Sequence, residues 1–158
     1  MRIVLCVSVL TLATAASAQA PFERLTAESA QAIVAGCAAH AAKKQQSHAI
    51  AVVDGGGNPV AFLRMEGNNA GVSLFAADKA KAAALWGFPT AAMEQAIKTT
   101  PGFARAPHVV TVGGGAPIYS ADGKYLLGGV GVSGEAPADD AACADAGIAA
   151  AELKSARS

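Results

Sequence analysis

The chain has 158 residues, twelve Lys and Arg against twelve Asp and Glu, 53% hydrophobic and 5% aromatic residues. This is one domain's worth of sequence, too apolar for a disordered tail and too interrupted by Gly and Pro for a coiled coil. No basic stretch exceeds Lys43-Lys44, which excludes a nucleic-acid footprint and a polybasic membrane-surface pattern and leaves a globular domain that binds a small molecule or copies of itself.

Residues 1–18 read as a secretory signal: Arg2 at the start, an apolar run over 3–13, and the small-x-small site Ala16-Ser17-Ala18. The run is too short to span a bilayer, which takes about 20 apolar residues. Residues 19–158 then form a single domain in a periplasmic or secreted protein with no membrane span. A helix is predicted over 26–46, with Thr26 as its cap, Glu28 in its first turn and Lys43-Lys44 at its end. The segment 49–54 is apolar on both faces, as a strand covered on both sides should be. Gly55-Gly56-Gly57-Asn58 is turn chemistry, and 59–65 is the return strand, with Pro59 where a missing N–H is tolerable.

After a polar loop over 66–71 come a helix over 72–86, stopped by Gly87, and a short helix over 90–98 opened by Pro89-Thr90. A loop over 99–108 leads to a predicted strand at 109–112. Gly113-Gly114-Gly115 turns into a strand at 116–119, residues 121–124 form a hairpin turn, and a Gly-rich strand covers 125–133. Pro137 starts a last helix to about 154. The order α-β-β-α-α-β-β-β-α, with hairpins and two-faced strands, argues an antiparallel sheet between helices on both sides.

Several motifs fail on inspection. Residues 129–134 match G-x-G-x-x-G, but the rest of the chain holds one helix and no second strand, so no dinucleotide-binding unit closes. Glycines there let another backbone or a flat ligand approach the strand closely. Ser133 lacks the Gly two residues on that a nucleophile elbow needs, since Glu135 stands there, and no His follows His108. Cys37 and His40 supply at most two of the four ligands of a closed zinc site, so no metal site is expected. The acids Asp139, Asp140 and Asp145 are explained by the dipole of the last helix. Cys37 and Cys143, the two cysteines of the exported domain, invite a disulfide; the other reading is two small buried side chains in Ala-rich helices.

Five blocks in order carry a resemblance. They are Val52-Val53-Asp54-Gly55-Gly56-Gly57 running on to Arg64-Met65-Glu66-Gly67; Lys79-Ala80-Lys81-Ala82-Ala83; Pro89-Thr90; Gly114-Gly115-Ala116-Pro117-Ile118; and Gly131-Val132-Ser133-Gly134 with Pro137-Ala138-Asp139-Asp140. The sequence resembles the GlcG/HbpS family of heme-binding proteins, related to the C-terminal domain of PduO-type proteins, over nearly all of 19–158. The departures are Glu66 where Asp is commoner and the triple glycine after Asp54. The resemblance implies a profilin-like α/β/α sandwich with a five-stranded antiparallel sheet, a homo-oligomer, and non-covalent binding of heme or a related tetrapyrrole. It also implies adjacent first and last helices, which would bring Cys37 and Cys143 together.

Heme ligands are His, Cys, Met or Tyr, and no C-x-x-C-H attachment motif is present. The candidate ligands are His108, beside Pro107 in a loop, then His40, with Met65, Tyr119, Tyr125 and Cys37 also of suitable chemistry. Arg64 or Lys79 could meet propionates, and Trp86 and Phe88 offer flat apolar surface, with Thr90 on the same Pro-Thr step. Each has a plainer reading: Trp86 as core, Arg64 paired with Glu66 or Asp78, His40 as an ordinary surface or core histidine. The function expected is an exported heme-binding protein, acting in heme capture, storage or degradation. The alternative is a small isomerase-like enzyme holding a metabolite near a subunit boundary, using Asp54, Arg64 or Lys79 for acid–base or carboxylate work.

Overall fold

The computed structural model describes residues 23–158; the predicted signal segment lies outside them. Thr26 caps α1 (Ala27–Lys44) by accepting the Ser29 N–H, and the chain leaves this helix through Gln45 in a left-handed conformation. The hairpin β1 (Ala49–Asp54) and β2 (Pro59–Arg64) follows. Asn69 caps α2 (Ala70–Trp86), and Gly87 at φ 71° ends it. Next come α3 (Thr90–Thr99), a 3-10 turn (Pro101–Arg105), β3 (Gly115–Tyr119), β4 (Leu126–Ser133) and α4 (Pro137–Ala150).

The strands form one antiparallel sheet in the order β2-β1-β4-β3. Opposite Ala49 stand Arg64 on one side and Ser133 on the other, so the β2 end, the β1 start and the β4 end meet at one edge of the molecule. α1 and α4 cover one face, over a core of Ile33, Ile50, Val52, Ile118, Val130, Val132 and Ile148. α2 covers the other face, packing Ala76, Ala80 and Ala84 against Ala49, Ala51 and Val53. Small residues let α2 lie almost on the strand. A Cβ on Gly129 would fall 2.6 Å from Ala84 N, and one on Gly131 would meet Ala76 O and Ala80 N. The close approach expected of these glycines is thus made by a helix backbone.

The sheet has four strands, not the expected five. The segment 109–112 has strand-like residues, but it forms no ladder among the described residues. Left-handed His108 (φ 59°) and Gly114 (φ 114°) bracket it, and β3 is met at Tyr119 on its outer side by Lys154 from the C-terminal segment. β propensity makes a strand only where another strand pairs with the segment. α4 also ends at Ala150, short of 154, because the chain turns after it to reach Tyr119.

Cys37 of α1 and Cys143 of α4 are joined by a disulfide, with their Cα atoms 4.7 Å apart. Gly147 sits beside it, where a Cβ would fall 2.5 Å from Ile33 O and 3.3 Å from Cys37 Cβ. These small residues bring the two helices within bridging range.

Candidate functional site

Three polar side chains are buried together at the sheet end where β1 begins. Lys79, from the middle of α2, reaches past the end of β4. Its Nζ donates to Val132 O at 2.9 Å and pairs with Asp140 Oδ2 at 2.9 Å. Asp140, in the first turn of α4, uses its other oxygen, Oδ1, both to accept the Glu135 N–H at 3.1 Å and to face His48 Nδ1 at 3.1 Å. Lys79 is 1% exposed, Asp140 2% and His48 0%. The lysine passes under Gly114, where a Cβ would stand 2.8 Å from Nζ. Its charge also lies 4.8 Å from the Phe75 ring centroid, within cation–π range. The cluster therefore ties α2, β4 and α4 together from both faces of the sheet. Asp140 is more than a dipole-matching acid: its carboxylate is the partner of a buried ammonium.

A polar latch covers this corner. Ser47 N donates to Glu135 Oε1 at 3.1 Å, Ser47 Oγ donates to Glu66 O at 2.6 Å, and Asn68 Nδ2 donates to Ser47 Oγ at 2.8 Å. His48 Nε2, by contrast, is buried with no hydrogen-bond partner.

The second feature is aromatic. Trp86 meets Phe103 edge-on at 5.0 Å between centroids and Phe88 at 6.4 Å, while Phe88 and Phe103 stack at 6.2 Å. Trp86 Nε1 donates to Pro107 O at 3.0 Å, which fixes the loop carrying His108 beside the rings. Trp86 remains 37% exposed, so it is not a core residue, and His108, the residue after Pro107, is exposed.

The structure fastens the loop that carries His108 to Trp86 through Pro107 and disperses the other expected site residues. Lys79 is occupied by Asp140. Thr90 is buried, its Oγ1 accepting the Gly115 N–H at 2.9 Å; a Cβ on Gly115 would collide with both Thr90 and Lys79. These two are therefore neighbours with a packing role. α2 runs from Gly131 toward Gly129, placing Trp86 toward the β4 start, while Arg64 stands at the opposite sheet end. Arg64 is exposed and pairs with neither Glu66 nor Asp78. Met65 is half-buried, its Sδ accepting the His48 N–H at 3.4 Å. His40 lies on α1, across the sheet from α2, with its Nε2 buried and unpartnered.

Asp54 borders a cleft of about 370 Å³ with Glu23, Arg24, Leu25, Val60 and Leu127. It accepts hydrogen bonds from Gly56 N, Asn58 N and Asn58 Nδ2. The bond from the Asn58 backbone is the foremost cause holding its carboxyl below the ordinary 3.8. Asp54 is thus a turn-forming carboxylate, and neither Arg64 nor Lys79 joins it at the cleft. Sequence reasoning missed His48, because a lone histidine before a strand carries no spacing signal.

The family model for haem degrading protein HbpS-like matches residues 25–149. The chain belongs to the HbpS-like family. Its fold is shared with a double mutant of HbpS from Streptomyces reticuli, at 26% identity and a TM-score of 0.77, over 90% of this chain and 97% of that one. It is also shared with the PduOC:heme complex, at 24% identity and a TM-score of 0.76, over 85% and 100% of the two chains. Klebsiella pneumoniae protein ORFY aligns at 21% identity and a TM-score of 0.76, over 87% and 97%. No curated protein sequence matches. In this HbpS-like chain, the Lys79 and Pro137–Asp140 sequence blocks meet in space as one buried ion pair.

Proposed function

We propose that this HbpS-like chain binds heme or a related tetrapyrrole non-covalently at the Trp86–Phe88–Phe103 cluster, as an exported homo-oligomer acting in heme capture, storage or degradation. The observation that carries the reading is the partly exposed aromatic cluster with a histidine-bearing loop fastened to its edge by the Trp86–Pro107 hydrogen bond. The donor set fits the group. Trp86, Phe88 and Phe103 offer apolar ring surface and exclude water, and His108 offers an imidazole nitrogen. Arg105, exposed at the end of the 3-10 turn, is a cation for a propionate. Lys79 is spent on Asp140, and Arg64 lies at the far sheet end of the same chain. Bound heme would supply an iron that changes oxidation state and takes exchangeable ligands.

The kinship with HbpS and the fold shared with the heme-bound PduOC support the reading. The test is titration of the metal-free protein with hemin, read by Soret absorbance, beside His108→Ala and His40→Ala. A saturable Soret band altered by His108→Ala is expected. No saturable band would refute the function, and an unchanged spectrum in both variants would refute the ligand assignment. N-terminal sequencing of the exported protein checks cleavage after Ala18, and light scattering that returns a monomer would refute the oligomer.

A further inference from the structure

His48 lies on the α1/α4 face of the sheet, away from the aromatic cluster, and the proposed function does not use it. Its Nδ1 faces a carboxylate that can only accept, so Nδ1 is the donor of that contact, and in the neutral ring Nε2 carries the lone pair. Nε2 is buried without a partner, although the residue is 0% exposed. An imidazole held through one nitrogen by a carboxylate, with the other left open, is the usual support of a metal-ligating histidine.

Met65 supplies a second donor. The bond from Met65 N to His48 O at 2.9 Å carries the β1–β2 ladder one residue beyond Ala49 and Arg64. Side chains alternate along strands, so His48 shares a face with Ile50 and Val52, and Met65 shares it with Leu63 and Ala61. Met65, Leu63 and Ala61 all pack against that core. Directly opposed residues have Cβ atoms about 5 Å apart, and the thioether already lies 3.4 Å from His48 N.

The chemistry of this pair is selective. Among the described residues no group of three or more His, Cys, Asp or Glu could hold a metal ion, so a divalent ion that needs three or four such ligands is not served. One imidazole and one thioether suit a soft monovalent cation of low coordination number. Cys37 and Cys143, being bridged, offer no competing thiol. We propose that His48 Nε2 and Met65 Sδ form a buried two-ligand site for Cu(I) or the isoelectronically similar Ag(I), with Asp140 fixing the imidazole and the Ser47–Glu66–Asn68–Glu135 hydrogen bonds lying beside it.

The test uses Ag(I), as the nitrate in chloride-free buffer, because it needs no reductant. Protein carrying carbon-13 methionine methyls is titrated and followed by NMR. The Met65 methyl and the His48 ring signals should shift and saturate at one equivalent, while the buried Met93 methyl stays in place. Met65→Leu keeps the apolar volume and should lose that one-equivalent binding; His108→Ala should keep it. A Met65 methyl that does not move, or undiminished Ag(I) binding by the folded Met65→Leu protein, would overturn the proposal. Neither result bears on hemin binding at the aromatic cluster.

Discussion

Removing the Lys79 ammonium is the sharpest perturbation of this fold. Lys79→Met keeps the stem and its packing under Gly114 but leaves the Asp140 charge, 2% exposed, without its cation. Asp140 would retain two donors, the Glu135 N–H and His48 Nδ1, so the loss belongs at the lower end of the range for breaking a buried pair, about 3 kcal/mol. The reverse change, Asp140→Leu, strands a buried ammonium with only Val132 O and the Phe75 face; about 5 kcal/mol is expected. It also leaves His48 Nδ1 unpaired. The double variant should lose less than the sum, since two apolar side chains replace a pair whose desolvation offset much of its attraction. Urea unfolding followed by circular dichroism, with the disulfide intact, measures all three. At about 3 °C per kcal/mol for a domain of this size, Lys79→Met should melt roughly 10 °C lower. A Lys79→Met protein within about 0.5 kcal/mol of wild type, or strictly additive losses, would refute this account of the pair.

Reducing the Cys37–Cys143 bridge, or replacing both with Ala, releases a constraint between residues 106 apart in sequence; the chain-entropy model gives about 5 kcal/mol as the ceiling, readable as a lower urea midpoint. Thiol counting under denaturing, non-reducing conditions should find none in the mature chain. Gly131→Ala should destabilise by about 1–3 kcal/mol, because the new methyl meets the α2 backbone at Ala76 and Ala80; an unshifted melting curve would show that α2 can move away. Asp54 is held below the ordinary 3.8 mainly by the Asn58 backbone N–H. Its contribution is therefore complete above about pH 4 and is lost as pH falls through its lowered folded value. Carboxyl NMR should place the Asp54 midpoint below 3.8, and Asp54→Asn should flatten the acid limb of stability against pH.

The elements were legible in the sequence wherever the signal was local. Thr26 caps α1, Gly87 ends α2, Gly55 to Asn58 make the hairpin turn, and two-faced apolar strands announced helices on both sides; each depends on residues a few positions apart. The family blocks also contained Lys79 and Asp140, while Trp86 stood out only as flat apolar surface. Tertiary structure decided what those residues do. Whether 109–112 becomes a strand depends on a distant segment pairing with it, and among the described residues none does. Whether Lys79 faces a ligand or a carboxylate depends on α4 arriving 61 residues later. His48 had no motif at all; its oriented ring exists only because α4 brings Asp140 to the start of β1. Backbone preference is written in neighbouring residues, whereas partnership between charged or ligating atoms is set by which distant segments the packing of the core brings to the same corner.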